Sequence, residues 1–170
     1  ELLAERPDCT EGQLEEIEDI HRNLGRIVKL NKSLLLLSRI ENGQFHETKE
    51  LEFNPIIKEL VEDFQEIYEH KKLHVEVEAN AACKVHMNES LANILITNLL
   101  KNAMIHTPNE GSITIRVQST GITFTNSTDG PSLDQSRLFT RFYQADNKKS
   151  DSTGLGLAII QSIVHLYHFH

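Results

Sequence analysis

Tryptophan is absent from this chain, and cysteine, methionine and proline are scarce. The two cysteines, Cys9 and Cys83, lack metal-ligand spacing and cannot form a disulfide framework, so we interpret them as reduced thiols of a cytosolic protein. No apolar run approaches the roughly 20 residues that cross a bilayer, so no membrane segment is expected. A signal peptide and an initial methionine are also missing, and we therefore expect a piece of a longer protein.

Positive charge is in short supply as well, with 17 Lys and Arg against 25 Asp and Glu and a formal net charge of -8. Binding of nucleic acid needs a cationic face, so nucleic acid is not an expected partner. Backbone amides could still hold a small anionic ligand. The hydrophobic content of 39% predicts a packed core, and 170 residues allow one domain plus an appendage.

The first quarter of the chain has a helical pattern. Thr10 and Gln13 form a capping box that predicts a helix start near Glu11, and Asn42-Gly43 predicts its end near Glu41. Apolar residues recur between these points at three- and four-residue steps: Leu14, Ile17, Ile20, Leu24, Ile27, Leu34 and Leu35. So apolar a helix must pack against another helix, and we expect chains to associate through it.

Helices and strands alternate in the rest of the chain. The predicted strands are 45–53 in part, 73–79, 82–86, 112–119 and 122–125. Further helices are predicted from the Asn54-Pro55 cap, from Asn88 to about His106, and from Gly154 to about Tyr167. Leu133, Leu138, Phe139, Phe142 and Tyr143 suggest one short helix. We therefore expect an α/β (α+β) fold.

Two amides stand out within the apolar segment NLLKNAMIHTP, which spans residues 98–108. Asn98 and Asn102 lie four residues apart, so they share one face of a helix. An amide oxygen is a suitable neutral ligand for Mg²⁺ that is held mainly by phosphates and water. The alternative is that both amides bond only to neighbouring backbone.

A second motif, Gly154-Leu155-Gly156, stands at the start of the last predicted helix. Glycines allow backbone to approach a ligand closely, and the free amides and positive dipole end of a helix start favour phosphate. A tight turn before a helix is the alternative interpretation. Taken together, the two motifs indicate a nucleotide site.

Four segments in one order make the chain resemble the sensor histidine kinases. They are LLLLSRIENGQF (34–45), NLLKNAMIHTP (98–108), LFTRFYQ (138–144) and STGLGLAII (152–160). The first is similar to the end of the second helix of that family's dimerisation and phosphotransfer domain. The others resemble its asparagine box, phenylalanine box and second glycine box.

The resemblance implies a fold and a set of ligands. The expected fold is the two-layer sandwich of the histidine kinase ATPase, in which a mixed sheet is covered by helices on one face, preceded by one long helix. The expected cofactors are ATP and Mg²⁺, with Asn102 as metal ligand, Asn98 near the phosphates and His106 beside the nucleotide. Gly154, Leu155 and Gly156 match the phosphate side. Phe139 and Phe142 match the anchor of an ATP lid at 144–153, where Lys148 and Lys149 would either meet phosphates or remain solvated.

Three positions depart from the family pattern, two in the first glycine box and one in the asparagine-box segment. Asn126 stands where the family has an Asp that accepts a hydrogen bond from adenine, and Thr128 replaces a glycine, so that only Gly130 remains. An amide oxygen can accept the same bond without the strength that a charge adds. Ile105 stands where a basic residue is common, so one phosphate contact is missing.

No histidine lies in the His-Glu-x-x-Arg-Thr-Pro-like box that carries the family's phosphoacceptor. We expect residues 1–44 to be the end of a dimerisation domain, and 45–170 an ATP-binding domain without its last strands. The resemblance implies a protein-histidine kinase that forms a homodimer through the long helix and passes phosphate to a response-regulator receiver domain. It would be the cytoplasmic part of a bacterial inner-membrane sensor. The alternative is a degenerate nucleotide domain that acts as a signalling scaffold.

Overall fold

The computed structural model describes residues 10–130, 138–143 and 153–170. Four α-helices and five strands lie within these ranges. The helices are α1 (Glu11–Glu41), α2 (Phe53–Ile67), α3 (Glu89–His106) and α4 (Gly156–Leu166). The strands are β1 (Lys49–Glu52), β2 (His74–Ala79), β3 (Lys84–Met87), β4 (Ser112–Gln118) and β5 (Gly121–Asn126), and a single 3₁₀ turn (Glu69–Lys71) precedes β2.

A three-stranded mixed sheet forms one layer of the fold. Strand β4 is central, pairing parallel with β2 and antiparallel with β5. The side chains of Ile113, Ile115 and Val117 are fully buried on one face of β4, whereas Arg116 is exposed between them. Helices α2 and α3 contact this sheet, and α4 packs on α3. The α+β fold with a mixed sheet and a preceding long helix is therefore confirmed, although β1 and β3 form a separate antiparallel pair.

Helix α1 has the predicted bounds, and both bonds of its capping box are formed between Thr10 and Gln13. Only its last turns enter the core, where Leu37 and Ile40 are buried and the helix contacts α4. Upstream, the apolar stripe lies open to solvent, with exposed fractions between 37% and 60% at Ile20, Leu24, Ile27, Val28, Leu34 and Leu35. Among the described residues, no helix is long and apolar enough to cross a membrane.

The predicted cap of α2 is wrong. The helix begins at Phe53, so Asn54 already lies in its first turn. The Asn54 amide donates to the carbonyl of Ala81 at 3.0 Å and accepts from the Cys83 N–H at 3.1 Å. The tertiary contact with the β2–β3 connection therefore occupies the side chain that local pattern assigned to a cap.

Two other boundaries also need correction. Residues 138–143 form turns where a short helix was predicted, and Leu133 lies outside the described residues. Helix α4 begins at Gly156, two residues later than predicted, because Gly154 has a φ of +67° and belongs to the preceding turn. A positive φ is incompatible with the right-handed helix, so Gly154 cannot be the first residue of α4.

Candidate functional site

Helix α3 is the element that carries the predicted amides. The Oδ1 atom of Asn88 caps it by accepting from the Leu91 N–H at 3.2 Å, and its own N–H donates to the hydroxyl of Tyr167 at 3.0 Å. One side of α3 is buried throughout, at Leu91, Ala92, Leu95, Ile96, Leu100, Ala103 and Met104. Asn98, Asn102 and His106 follow at four-residue spacing, so they share a different side of the helix, which we call the amide face.

The glycine turn lies beside the first of these amides. A Cβ atom placed on Gly156 would lie 3.2 Å from Oδ1 of Asn98. The Nδ2 atom of Asn98 donates to the carbonyl of Ile94 at 2.8 Å, which holds the amide in place. Because Gly156 approaches Asn98 while Tyr167 approaches Asn88, α3 and α4 run antiparallel. The first turn of α4 therefore lies against the amide face of α3.

Gly154 joins this turn to the phenylalanine segment. Its carbonyl accepts from the N–H of Phe142 at 3.0 Å, and a Cβ on Gly154 would lie 2.8 Å from the Phe142 carbonyl carbon. Phe142 itself has a φ of +65°. The close backbone approach leaves no room for a side chain at Gly154. Leu155 between the two glycines is fully buried and anchors the turn in the core.

The opposite end of the amide face meets the end of β5. Gly111 packs so closely against Thr107 and Ser127 that an added Cβ would lie 2.6 Å from Cγ2 of Thr107 and 2.7 Å from Oγ of Ser127. Asn126 precedes Ser127, is half-buried, and donates through Nδ2 to the Ser127 carbonyl at 3.1 Å. From Asn98 to His106 the helix rises about 12 Å, so the two ends are separated along one face.

Lys71 lies at this second end and contributes to its electrostatics. Its Nζ atom donates to the carbonyls of Met104, Ile105 and Thr107 at 2.7, 3.0 and 2.6 Å. Desolvation lowers the pKa of Lys71. Although His106 is largely exposed, desolvation of its ring and, second, the charge of Lys71 lower the pKa of His106 from its ordinary value. His106 is therefore held toward its neutral form.

The remaining predicted residues make fewer contacts with this region or lie outside the described residues. Asn102 is half-buried on α3, and within the described chain its side chain makes no hydrogen bond. Phe139 and Phe142 are 44% and 55% exposed. The hydrogen bond that joins their segment to the glycine turn is the main-chain bond from Phe142 to Gly154. The N–H of the exposed Gly130 donates to Oγ1 of Thr128 at 3.2 Å. Lys148 and Lys149, with residues 144–152 of the predicted lid, lie outside the described residues.

Two residues of this region escaped prediction from sequence. Lys71 adjoins Lys72 after an amphipathic helix, and nothing in that pattern distinguishes a buried contact from a solvated charge. Gly111 follows a Thr-Pro-Asn-Glu turn, where a glycine is unremarkable. Among the described residues, no group of three His, Cys, Asp or Glu side chains could hold a metal ion.

Comparison with known proteins identifies the class to which this site belongs. Residues 87–170, which include α3, β4, β5 and α4, match the family described as Histidine kinase-, DNA gyrase B-, and HSP90-like ATPase. The chain therefore contains an ATPase domain of the histidine kinase type.

Individual relatives extend the match to the N-terminal part. The chain is 33% identical to the heme sensor protein HssS of Staphylococcus aureus, over 98% of this chain and 38% of that protein. Among solved structures, the histidine kinase AdeS of Acinetobacter baumannii is similar over 95% of this chain and 75% of its own, with 21% identity and a TM-score of 0.62. Full-length ShkA in complex with AMPPNP is similar over 96% of this chain and 36% of its own, with 17% identity and a TM-score of 0.69.

These matches confirm the resemblance carried by the four motifs: the chain is homologous to the sensor protein HssS, and its fold is similar to those of sensor histidine kinases. Because the two solved structures share little sequence identity with this chain, their similarity supports the fold alone. The chain spans 38% of the length of its HssS relative.

Replacing Gly154 by alanine is expected to destabilise the turn between residues 138–143 and α4. The substitution combines a strained φ with overlap against Phe142, and we expect a loss of about 2–3 kcal/mol in the free energy of unfolding. Gly43→Ala is the matched control, because Gly43 has a φ of +63° but no atom within 4 Å of its added Cβ. Urea denaturation that shows equal losses for both variants would contradict the proposed overlap.

Proposed function

We propose that this chain binds Mg-ATP between α3 and the turn at Gly154–Gly156, as the ATP-binding part of a sensor histidine kinase. In the whole protein, the γ-phosphoryl group would pass to a histidine and then to an aspartate of a response-regulator receiver domain. The observation that carries the proposal is the close approach of Gly156 to Asn98, which places the glycine-rich start of α4 beside the amide face.

The shape of the face suits a ligand that is anionic at one end. The first amides of α4 and its positive dipole end lie beside Asn98, where phosphates would be stabilised. The other end, about 12 Å along the helix, presents His106 and the end of β5 with Asn126. An adenine there would stack near the largely neutral His106 ring and donate its amino hydrogen to Asn126. ShkA, a structural neighbour, was solved with the ATP analogue AMPPNP.

The donor set fits a magnesium ion that ATP brings with it. Mg²⁺ keeps several waters and is bound through substrate phosphates with one or two protein oxygens. Asn102 would supply such an oxygen, since its amide is half-buried and forms no hydrogen bond within the described chain. When bound, the ion would neutralise charge on the phosphates. The chain would contribute position, an amide ligand and the dipole of α4.

Two substitutions relative to the family pattern should weaken the binding. Asn126 offers a neutral oxygen in place of a carboxylate, and its Nδ2 is already committed to the Ser127 carbonyl. Ile105 cannot contact a phosphate. These departures also support the alternative function, in which a degenerate nucleotide domain serves as a signalling scaffold.

We further propose that residues 1–44 end a dimerisation domain and that 45–170 form the ATP-binding domain. The exposed stripe of α1 would pair with a second copy in a helical bundle, which would remove it from water. As part of a sensor kinase, the chain would act in the cytoplasm, where ATP and the receiver domain are available.

Asn102→Ala should weaken binding of a non-hydrolysable ATP analogue with Mg²⁺ by at least about tenfold, a change of roughly 1.4 kcal/mol. The reason is the loss of the only protein oxygen that we assign to the ion. Asn93→Ala is the control, because Asn93 is exposed on the same helix and bonds only to the carbonyl of Glu89 among the described contacts. Calorimetric titration that finds no binding by the parent chain would favour the scaffold.

Incubation with γ-³²P-ATP should leave the histidines of this chain unlabelled. None of them lies in a phosphoacceptor box, and His21, on the long helix, lies in the sequence HRNLGR. Acid-labile, base-stable label on the chain would refute this expectation and would identify an acceptor within residues 1–170.

The chain should be a dimer in light scattering at micromolar concentration. Ile27→Glu should shift it to the monomer, because a charge would be placed on a side chain that is now 60% exposed but would be buried in a helical bundle. Lys29→Glu, on the opposite side of α1, should leave the dimer intact. A monomeric parent chain would contradict the pairing.

A further inference from the structure

The C-terminal end of α3 is held by a residue from outside the nucleotide face. The last four carbonyls of a helix have no partner within it. In α3, the carbonyl of Ala103 accepts from the N–H and Oγ1 of Thr107 at 3.0 and 2.6 Å. The carbonyls of Met104 and Ile105 accept from Nζ of Lys71. One lysine thus supplies the partners of two of these four carbonyls.

The same lysine also fixes the turn that leaves the helix. A third bond from its Nζ reaches the carbonyl of Thr107, which is 1% exposed. Its own main-chain carbonyl accepts from the N–H of Glu110 at 2.8 Å. Lys71 therefore holds residues 104–110 by both its side chain and its backbone. Gly111 then packs against Ser127, next to Asn126.

This arrangement excludes a direct role in phosphate binding. An ammonium group has three donors, and all three carbonyl partners lie on the protein. Lys71 consequently does not replace the basic residue that is missing at Ile105. Its position next to the end of α3 points instead to an effect on geometry.

We propose that Lys71 is a positioning residue for the nucleotide site, which fixes the last turn of α3 and the loop to Gly111 so that Asn102, His106 and Asn126 converge. The inference rests on the proposed function, since it assigns these three side chains to one ligand. It adds a residue that belongs to none of the four sequence motifs.

The test compares Lys71→Met with Lys72→Met in the 170-residue chain. Both changes remove an ammonium group, but Lys72 is exposed and its side chain makes none of these bonds within the described chain. At a temperature where circular dichroism shows both variants folded, Lys71→Met should bind the Mg²⁺ complex of a non-hydrolysable ATP analogue about tenfold more weakly than the parent. Lys72→Met should bind with parental affinity. Parental affinity in folded Lys71→Met would overturn the proposal.

Lys71→Arg provides a second variant that retains charge and donors. Its planar guanidinium cannot direct three bonds to converging carbonyls as an ammonium does, so we expect affinity between those of the parent and Lys71→Met. If Lys71→Met does not fold, parental affinity in Lys71→Arg is the result that overturns the proposal.

Amide hydrogen exchange separates this inference from the proposed function. Residues 103–111 should exchange faster in Lys71→Met, or in Lys71→Arg if the former is unfolded, while residues 156–166 remain protected as in the parent. If the parent binds no nucleotide, the proposed function fails and the positioning role fails with it. Faster exchange confined to 103–111 would then assign Lys71 to local stability alone.

Discussion

The antiparallel packing of α3 against α4 is the contact on which the rest of the site depends. Helix α3 buries one side in the core while its amide side faces the first turn of α4. Oδ1 of Asn98 would stand only 3.2 Å from a Cβ at Gly156, so a larger residue there would press against the amide. The hydrogen bond from Asn88 to Tyr167 holds the other end of the pair. The helix pair thereby buries its apolar side chains in the core and keeps the polar ones on the amide face.

The site combines two ways of treating buried polar groups. Carbonyls at the end of α3 receive their hydrogen bonds from Lys71 and Thr107, which avoids the cost of unsatisfied buried acceptors. The half-buried amide of Asn102, by contrast, makes no hydrogen bond within the described chain. A scaffold whose own groups are satisfied can hold such an amide in position for a ligand, because few local rearrangements compete with binding.

The proposed nucleotide face keeps the family pattern at some positions and departs from it at others. Asn98, Asn102, Gly154 and Gly156 are intact where phosphates and metal would lie. Asn126 offers a neutral amide where the family has a carboxylate toward adenine, and Ile105 is apolar where the family has a basic phosphate contact, so electrostatic attraction is weaker at both points. The comparisons show an ATPase domain of the histidine kinase type and homology to a sensor protein. The affinity of the proposed site for ATP would depend on how far the helix dipole and amides compensate for those lost charges.

Local chemistry in the sequence determined much of this protein. The capping box and the Asn-Gly stop set the bounds of α1, alternation located β2, β4 and β5, and the Asn88 cap located α3. The motifs at 98–108 and 152–160 carried the family resemblance and supplied the candidate residues of the site. These features depend on neighbours within a few residues, which a sequence displays directly.

Tertiary structure decided the features that depend on distant partners. It drew Asn54 away from a helix cap toward Ala81 and Cys83, and split the strands into two sheets. It also placed Gly154 against Phe142. Above all, it distinguished Lys71 from Lys72, although the two adjoin in the chain. Local patterns treat both as charged surface residues, because only the folded chain brings the carbonyls of α3 within hydrogen-bonding distance of one of them.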